Sequence, residues 1–278
     1  MKHLTLLLAG TALWLAACAP EETAPEPEAT TPPAAEEPMA EPTPEPTATE
    51  MIEPAVLTAP GRTDDDMARD EDRKPVETLD FIGVEPGMTV LELEAGGGYF
   101  TPMLAYAVGP EGSVYMQNPE IFRNYFDGNE RPPRFDDLPD QVEYLESEFD
   151  DLSALEDGSV DIVTWLQGPH EIWFQPDGAD EQLAEPTATF AEIVRVLKPG
   201  GELIALDHSA PEGTDTSSGG DTHRIDPAVI DQLATEAGLE KTEESQLFDN
   251  PDDDMTTNVF EPEIRGKTDQ FLIRYVKP

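Results

Sequence analysis

The chain is short of cysteine, of cations and of histidine. Its single cysteine, Cys18, excludes any disulfide within the chain. Lysine and arginine together number 16 against 60 acidic residues, a formal net charge of −44. Phosphate backbones are held by clustered cations, so this balance excludes nucleic acid as a partner, and anionic lipid gains nothing from it either. The acidity is spread along the whole chain and reads as a solvated surface. There are four histidines, and no cysteine or paired-histidine spacing points to zinc. Asp64-Asp65-Asp66 and Asp252-Asp253-Asp254 lack the EF-hand pattern and read as acidic turns, so no metal is expected. A Gly-x-Ser-x-Gly nucleophile elbow is absent as well.

What is there begins with a targeting pattern. Met1-Lys2-His3 is a basic start, and Leu4 to Ala17 is apolar, uncharged and too short to span a bilayer as a stable helix. Leu15-Ala16-Ala17-Cys18 resembles the bacterial lipobox, in which small residues precede a thiol that takes a diacylglyceryl group. Residues 1–17 are therefore expected to be a lipoprotein signal peptide and Cys18 the lipidated residue. The position after it is Ala19 rather than Asp, which by similarity to enterobacterial lipoproteins favours the outer membrane, with the protein on its periplasmic face. Residues 18–61 read as a tether: Ala19 to Pro60 is rich in Pro, Glu, Ala and Thr and has no Lys or Arg. Such a composition cannot bury enough apolar surface to offset its ordering entropy, and its prolines keep it extended. One domain, 62–278, follows, with strand and helix patterns alternating as in a parallel sheet covered on both faces.

Val90-Leu91-Glu92-Leu93 reads as a buried strand running into Glu94-Ala95 and the three glycines Gly96, Gly97 and Gly98. Adjacent glycines let a ligand approach main-chain N–H groups with no Cβ in the way. Thr101-Pro102 then suits a helix start, with Thr101 as its cap. Further strands are expected over Ser113–Gln117, Val142–Leu145, Val160–Leu166 and Leu203–Leu206, with Phe271–Val276 as a final edge strand. Gly200 is placed to end the helix through Phe190, Ile193, Val194 and Leu197. The long stretch from Asn118 to Pro139 reads as a lid or binding element.

These segments carry a resemblance to the class I S-adenosylmethionine-dependent methyltransferases. The strand and glycine turn look like that family's first motif, and Leu155 to Val163 resembles the run into its fourth strand. Phe190 to Leu203, with Lys198-Pro199-Gly200-Gly201, is similar to its helix and turn before strand five. The similarity covers roughly residues 68 to 278. It is greatest to a group of exported bacterial predicted methyltransferases, through Arg69-Asp70-Glu71-Asp72-Arg73, Asp207-His208 and the 265–271 run Arg-Gly-Lys-Thr-Asp-Gln-Phe. The implied fold is a doubly wound, Rossmann-like, mostly parallel seven-stranded sheet, and the implied cofactor is S-adenosylmethionine. A dinucleotide fingerprint does not fit, because Thr101 stands where its last glycine would fall counting from Gly96.

In such sheets ligands bind beyond the carboxyl ends of the strands. By resemblance, Glu92 orients the methionine part of the cofactor, and Gly96 and Gly98 match the last two glycines of the motif. Glu94 stands in place of the first glycine and either repels the cofactor's carboxylate or binds its ammonium group. Gln117 or Asn118 occupies the ribose-gripping position, and Asp150 or Asp151 the position near the adenine. His170, after strand four, is the first candidate base and His208 the second, with Asp207 beside it. Trp173 and Phe174 are candidate pocket walls, and His223-Arg224 could reach the site from before a later helix. The expected activity is methyl transfer to a small molecule in the cell envelope. The alternative is a non-catalytic binding protein for a nucleoside-like or cationic ligand.

Overall fold

A computed structural model describes residues 55–176, 179 and 181–278 of the chain. The expected signal peptide, Cys18 and the tether up to residue 54 lie outside the described residues. No described helix is long and apolar enough to cross a membrane.

Strand β1 (Thr89–Leu93) is buried along nearly its whole length, as its apolar run requires of a central parallel strand. It pairs in parallel with β2 (Ser113–Asn118) on one side and β4 (Val160–Leu166) on the other. Strand β3 (Val142–Glu146) extends the sheet beyond β2, and β5 (Leu197–His208) extends it beyond β4. The last two strands are β6 (Glu240–Ser245) and β7 (Gln270–Val276), and the full order is β3-β2-β1-β4-β5-β7-β6. Strand β7 runs against the common direction of the other six. This is the mostly parallel seven-stranded sheet that the family resemblance implies.

Side chains alternate across a strand, so each sends consecutive residues to opposite faces. Leu91, Leu93, Val163, Trp165, Leu203 and Ala205 point into one core layer. There they meet Phe190, Ile193 and Val196 of α5 (Pro186–Val196) and Ile230 and Ala234 of α7 (Pro227–Glu236). Val90, Val114, Met116, Ile162 and Ile204 point into the other layer. That layer is closed by α3 (Pro75–Ile82), through Leu79 and Ile82, and by α4 (Thr101–Val108), through Met103, Leu104 and Val108. Each fully buried Leu, Ile or Phe contributes about 1.5–3 kcal/mol. The second layer also buries Val56 and Ala59, so the packed region begins ahead of the expected boundary at Gly61.

Three details differ from expectation. Strand β7 is interior, and the edge is β6, whose sequence Glu-Lys-Thr-Glu-Glu-Ser is almost wholly exposed and carries no apolar alternation to reveal it. Charge along an edge blocks pairing with another sheet. Helix α5 ends at Val196 with Leu197 already extended, so Gly200, at φ +78°, serves the turn that follows rather than the helix cap. Thr101 is the first helical residue, not the cap, because its hydroxyl is drawn to Glu92.

Candidate active site

The glycine turn is held from below by two buried amides. Gln117 Oε1 accepts the Glu94 N–H at 2.9 Å, and its Nε2 donates to the Ser147 carbonyl at 2.6 Å. Asn118 Oδ1 accepts the Gly96 N–H at 2.7 Å while its Nδ2 donates to the Gly96 carbonyl at 3.1 Å. Only an amide both accepts and donates here, which accounts for the absence of a carboxylate at these positions. Neither side chain lines the cavity above. Asp150 accepts the Glu185 N–H and Asp151 the Ser153 N–H, and these two also lie away from it.

That cavity, about 290 Å³, opens at the carboxyl ends of β1, β4 and β5. Gly96 and Gly97 face it, and a Cβ on either would meet no atom within 4 Å, so the loop's backbone is open to a ligand. Gly98 is confined instead: at φ +82° its Cβ would lie 2.9 Å from Met116 Cε. Glu92 is buried, accepts the Thr101 hydroxyl at 2.6 Å, and is pushed by burial up to about 8. Glu94, at φ +51°, accepts the Trp165 indole N–H at 3.1 Å. Burial, and then the charge of Glu171, raise its pKa well above the ordinary carboxylate range.

Arginines form the opposite wall. Arg134 donates to the Gly98 carbonyl at 2.8 Å and is paired with buried Asp66, whose N-terminal helix α1 (Asp64–Met67) is thereby fixed to the glycine turn. Burial would raise Asp66, but the hydrogen bonds from Arg134 and Thr63 outweigh it and hold the carboxyl below its usual range. Arg69, just before α2 (Asp70–Arg73), and Arg73 at its end stack on the Tyr99 ring at 4.8 and 5.3 Å, and the Tyr99 hydroxyl donates to Asp70 at 2.6 Å. Among the described residues no carboxylate lies within ion-pair distance of Arg73. Burial, and then Arg69, push it down to about 10, and it stays cationic at neutral pH. A second cavity of about 350 Å³ adjoins the first, sharing Arg69, Arg73, Gln167 and His208 and adding Arg265 and Gln270. The two sequence runs singled out at 69–73 and 265–271 therefore meet at one place.

The histidines gather on the β4 and β5 rim. His170, in the 3₁₀ turn Pro169–Trp173, is buried. Its N–H donates to Asp207 Oδ2 at 2.6 Å and its Nδ1 lies 2.8 Å from Asp207 Oδ1. Burial alone would push the imidazole down, but Asp207 and Glu171 outweigh it and raise His170 to about 10. Burial opposes ionisation of Glu171, yet its contacts with His170 and His223 hold it down at about 2. His170 is thus a protonated, tethered group at neutral pH in this arrangement, poorly placed to act as a base. His208 is the reverse. Burial, then the charge on His170, push it well below its usual value, so it is neutral, with Nδ1 2.7 Å from Thr268 Oγ1. It lines both cavities.

Other expected residues fall elsewhere. Trp173 and Phe174 line neither cavity; Phe122 and Phe260 do so instead. Phe122 and Arg134 come from the 118–139 stretch, which supplies two 3₁₀ turns, Glu120–Phe126 and Pro133–Asp137. His223, at φ +54° after the short α6 (Ser218–Thr222), places its Nδ1 3.1 Å from His170 Nε2. Fifty-three positions separate the two rings, so no local spacing could have announced the pair.

With this geometry in place, comparison with known proteins adds the class. Residues 91–205 match the family model described as a methyltransferase domain. The ubiquinone/menaquinone biosynthesis C-methyltransferase UbiE of Shewanella piezotolerans is 28% identical over 135 residues, 49% of this chain and 48% of that protein. The Shewanella woodyi protein of the same name is 27% identical over 135 residues, with the same shares. The chain spans about half the length of the curated relatives it matches. Among solved structures, a SAM-dependent methyltransferase from Aquifex aeolicus superposes with a TM-score of 0.54 at 23% identity, over 76% of this chain and 93% of that one. Geranyl diphosphate C-methyltransferase from Streptomyces coelicolor does so with a TM-score of 0.54 at 15% identity, over 87% and 90%. Residues 91–205 are thus similar to a methyltransferase domain, and the sheet shares the fold of solved S-adenosylmethionine-dependent methyltransferases. S-adenosylmethionine, the cofactor of such structures, fits the open backbone at Gly96 and Gly97, between two buried carboxyl groups and arginines.

Proposed function

We propose that this protein transfers a methyl group from S-adenosylmethionine to a small molecule and works at the cell envelope, anchored through Cys18. The observation that carries the reading is the composition of one cavity. It joins an open glycine backbone to Glu92 and Glu94, buried carboxyls that a bound cation would draw toward ionisation, and to Arg73, which is suited to a carboxylate. When bound, the cofactor supplies an electrophilic methyl group; the protein's task is to hold, align and exclude water. The adjoining cavity of about 350 Å³ suits an acceptor of modest size, and relatives named for ubiquinone/menaquinone biosynthesis are consistent with a small-molecule acceptor. His208, neutral and shared by both cavities, is positioned to take the acceptor's proton.

Calorimetric titration of the full chain with S-adenosylmethionine and S-adenosylhomocysteine, with NAD as control, tests the reading. Micromolar binding of the first two alone is expected; binding of none overturns it. Mass spectrometry of the mature N-terminus, with Cys18→Ser as control, tests the anchor, and an unmodified Cys18 overturns that part. A second reading has one observation in its favour. Gln117 and Asn118 are committed to the glycine turn and leave no carboxylate at the ribose position, which suits a non-catalytic binder of a nucleoside-like or cationic ligand. Cofactor binding without turnover on any acceptor offered, and unaffected by His208→Ala, would favour it.

A further inference from the structure

We infer that His170, Glu171 and His223 form a zinc site whose open position faces the cavity of about 290 Å³ above the glycine turn. The three ligand atoms make a nearly equilateral triangle. His170 Nε2 lies 3.1 Å from His223 Nδ1 and 3.4 Å from Glu171 Oε1, and His223 Nδ1 lies 3.3 Å from the same oxygen. A tetrahedral zinc with ligands at about 2.0–2.1 Å has ligand–ligand edges of about 3.3 Å. An octahedral hard cation would prefer oxygen donors, and two imidazoles with one carboxylate suit zinc among divalent ions.

The surroundings fit the same assignment. Asp207 already accepts the backbone N–H groups of His170 and His208 and lies 2.8 Å from His170 Nδ1. A carboxylate so placed accepts a hydrogen bond from Nδ1–H and turns Nε2 toward the triangle, the usual outer-shell arrangement of a zinc-bound histidine. Without a metal the proton on His170 supplies the positive charge among these three atoms, and bound zinc would take the place of that proton. His223 is held in place by a left-handed backbone that a non-glycine residue seldom adopts, and by α6, whose Gly219 packs on the His170 carbonyl so closely that a Cβ would lie 2.5 Å from it. Four-coordinate zinc would keep its fourth position on the cavity side, since all three ligands line the cavity.

That position takes a hydroxyl- or thiol-bearing acceptor, which gives up its proton to His208 and is held as oxyanion or thiolate. This last role rests on the methyltransferase reading; zinc binding itself does not.

The test is cobalt(II) titration of the full chain, with excess calcium present to occupy surface carboxylates. One equivalent is expected to produce the intense visible absorption of four-coordinate cobalt, and one equivalent of zinc to displace it. His223→Ala and the isosteric Glu171→Gln should lose the signal. Asp207→Asn should weaken affinity by about 10- to 100-fold. Absence of saturable one-equivalent binding, or an unchanged spectrum in both ligand variants, overturns the site. Far-ultraviolet circular dichroism checks that the variants fold, and Glu171→Gln alone suffices if His223→Ala does not. Cofactor titration, read separately, distinguishes failure of the zinc site from failure of the methyltransferase reading.

Discussion

The two sides of the cleft are built on opposite plans. On the β1–β2 side the functional surface is main chain, with side chains beneath it: Gln117 and Asn118 template the glycine turn and never reach the cavity. On the β4–β5 side the functional surface is side chain, and the main chain is the support, as where Asp207 grips the His170 and His208 N–H groups. The first plan tolerates little change in the residues underneath and offers an unspecific approach to the ligand. The second is specific and assembled from distant segments. Gly168 and Glu94 join the two, since Glu94 reaches across from the glycine turn to Trp165 on β4.

The comparison can be broken most severely at Gly96. Gly96→Val fills the approach to the backbone, and cofactor affinity in calorimetry should fall by about 100-fold or more, while the left-handed conformation costs stability only about 1–2 kcal/mol. The junction comes next. A Cβ at Gly168 would lie 2.1 Å from Glu94 Oε2 and 2.4 Å from Trp165 Nε1, so Gly168→Ala should lower unfolding free energy in urea by about 3 kcal/mol. If the variant matches wild type, the Glu94 bridge does not join the halves.

Asn118→Asp sharpens the point about templates. It introduces the acidic residue expected of the family, yet removes the donor to the Gly96 carbonyl and buries a charge, so it should destabilise by about 2 kcal/mol rather than improve ribose binding. The gentlest test concerns pH. Glu92 is raised by burial to about 8 in the folded state, from an ordinary value of 4.5. Between those values the folded state holds a proton that the unfolded state has released, so this group's contribution is full below 4.5 and is lost as pH rises through 8. The slope is at most about 1.4 kcal/mol per pH unit. Glu92→Gln should remove it, visible as a flatter dependence of melting temperature on pH in the variant than in wild type.

Much of the main-chain side was legible in advance, because it is contiguous. The run Val90 to Gly98 states a buried strand and a turn in a single stretch, and Val160–Leu166 coincides with β4. The same holds for the lining of both core layers, where apolar periodicity carries the signal. The side-chain side was legible only in pieces. His170, Asp207 and His208 could be placed on the rim, but their charge states are set by one another at distances the sequence does not state. His223 was named only as able to reach the site; Gly219 and Gly220, small residues that let α6 pack on the turn carrying His170, are what bring it there. Strand β6 was hidden for another reason. It is recruited by β7 through main-chain pairing, and its side chains contribute nothing to the core.

That acidic edge has a consequence for crowding. A sheet ending in Glu240, Glu243 and Glu244 meets any copy of itself with like charges face to face, so chains tethered at high density on a surface would stay separate along this rim near neutral pH. Salt screens that repulsion. The colloidal behaviour of the protein should therefore change with ionic strength rather than with occupancy of the cleft.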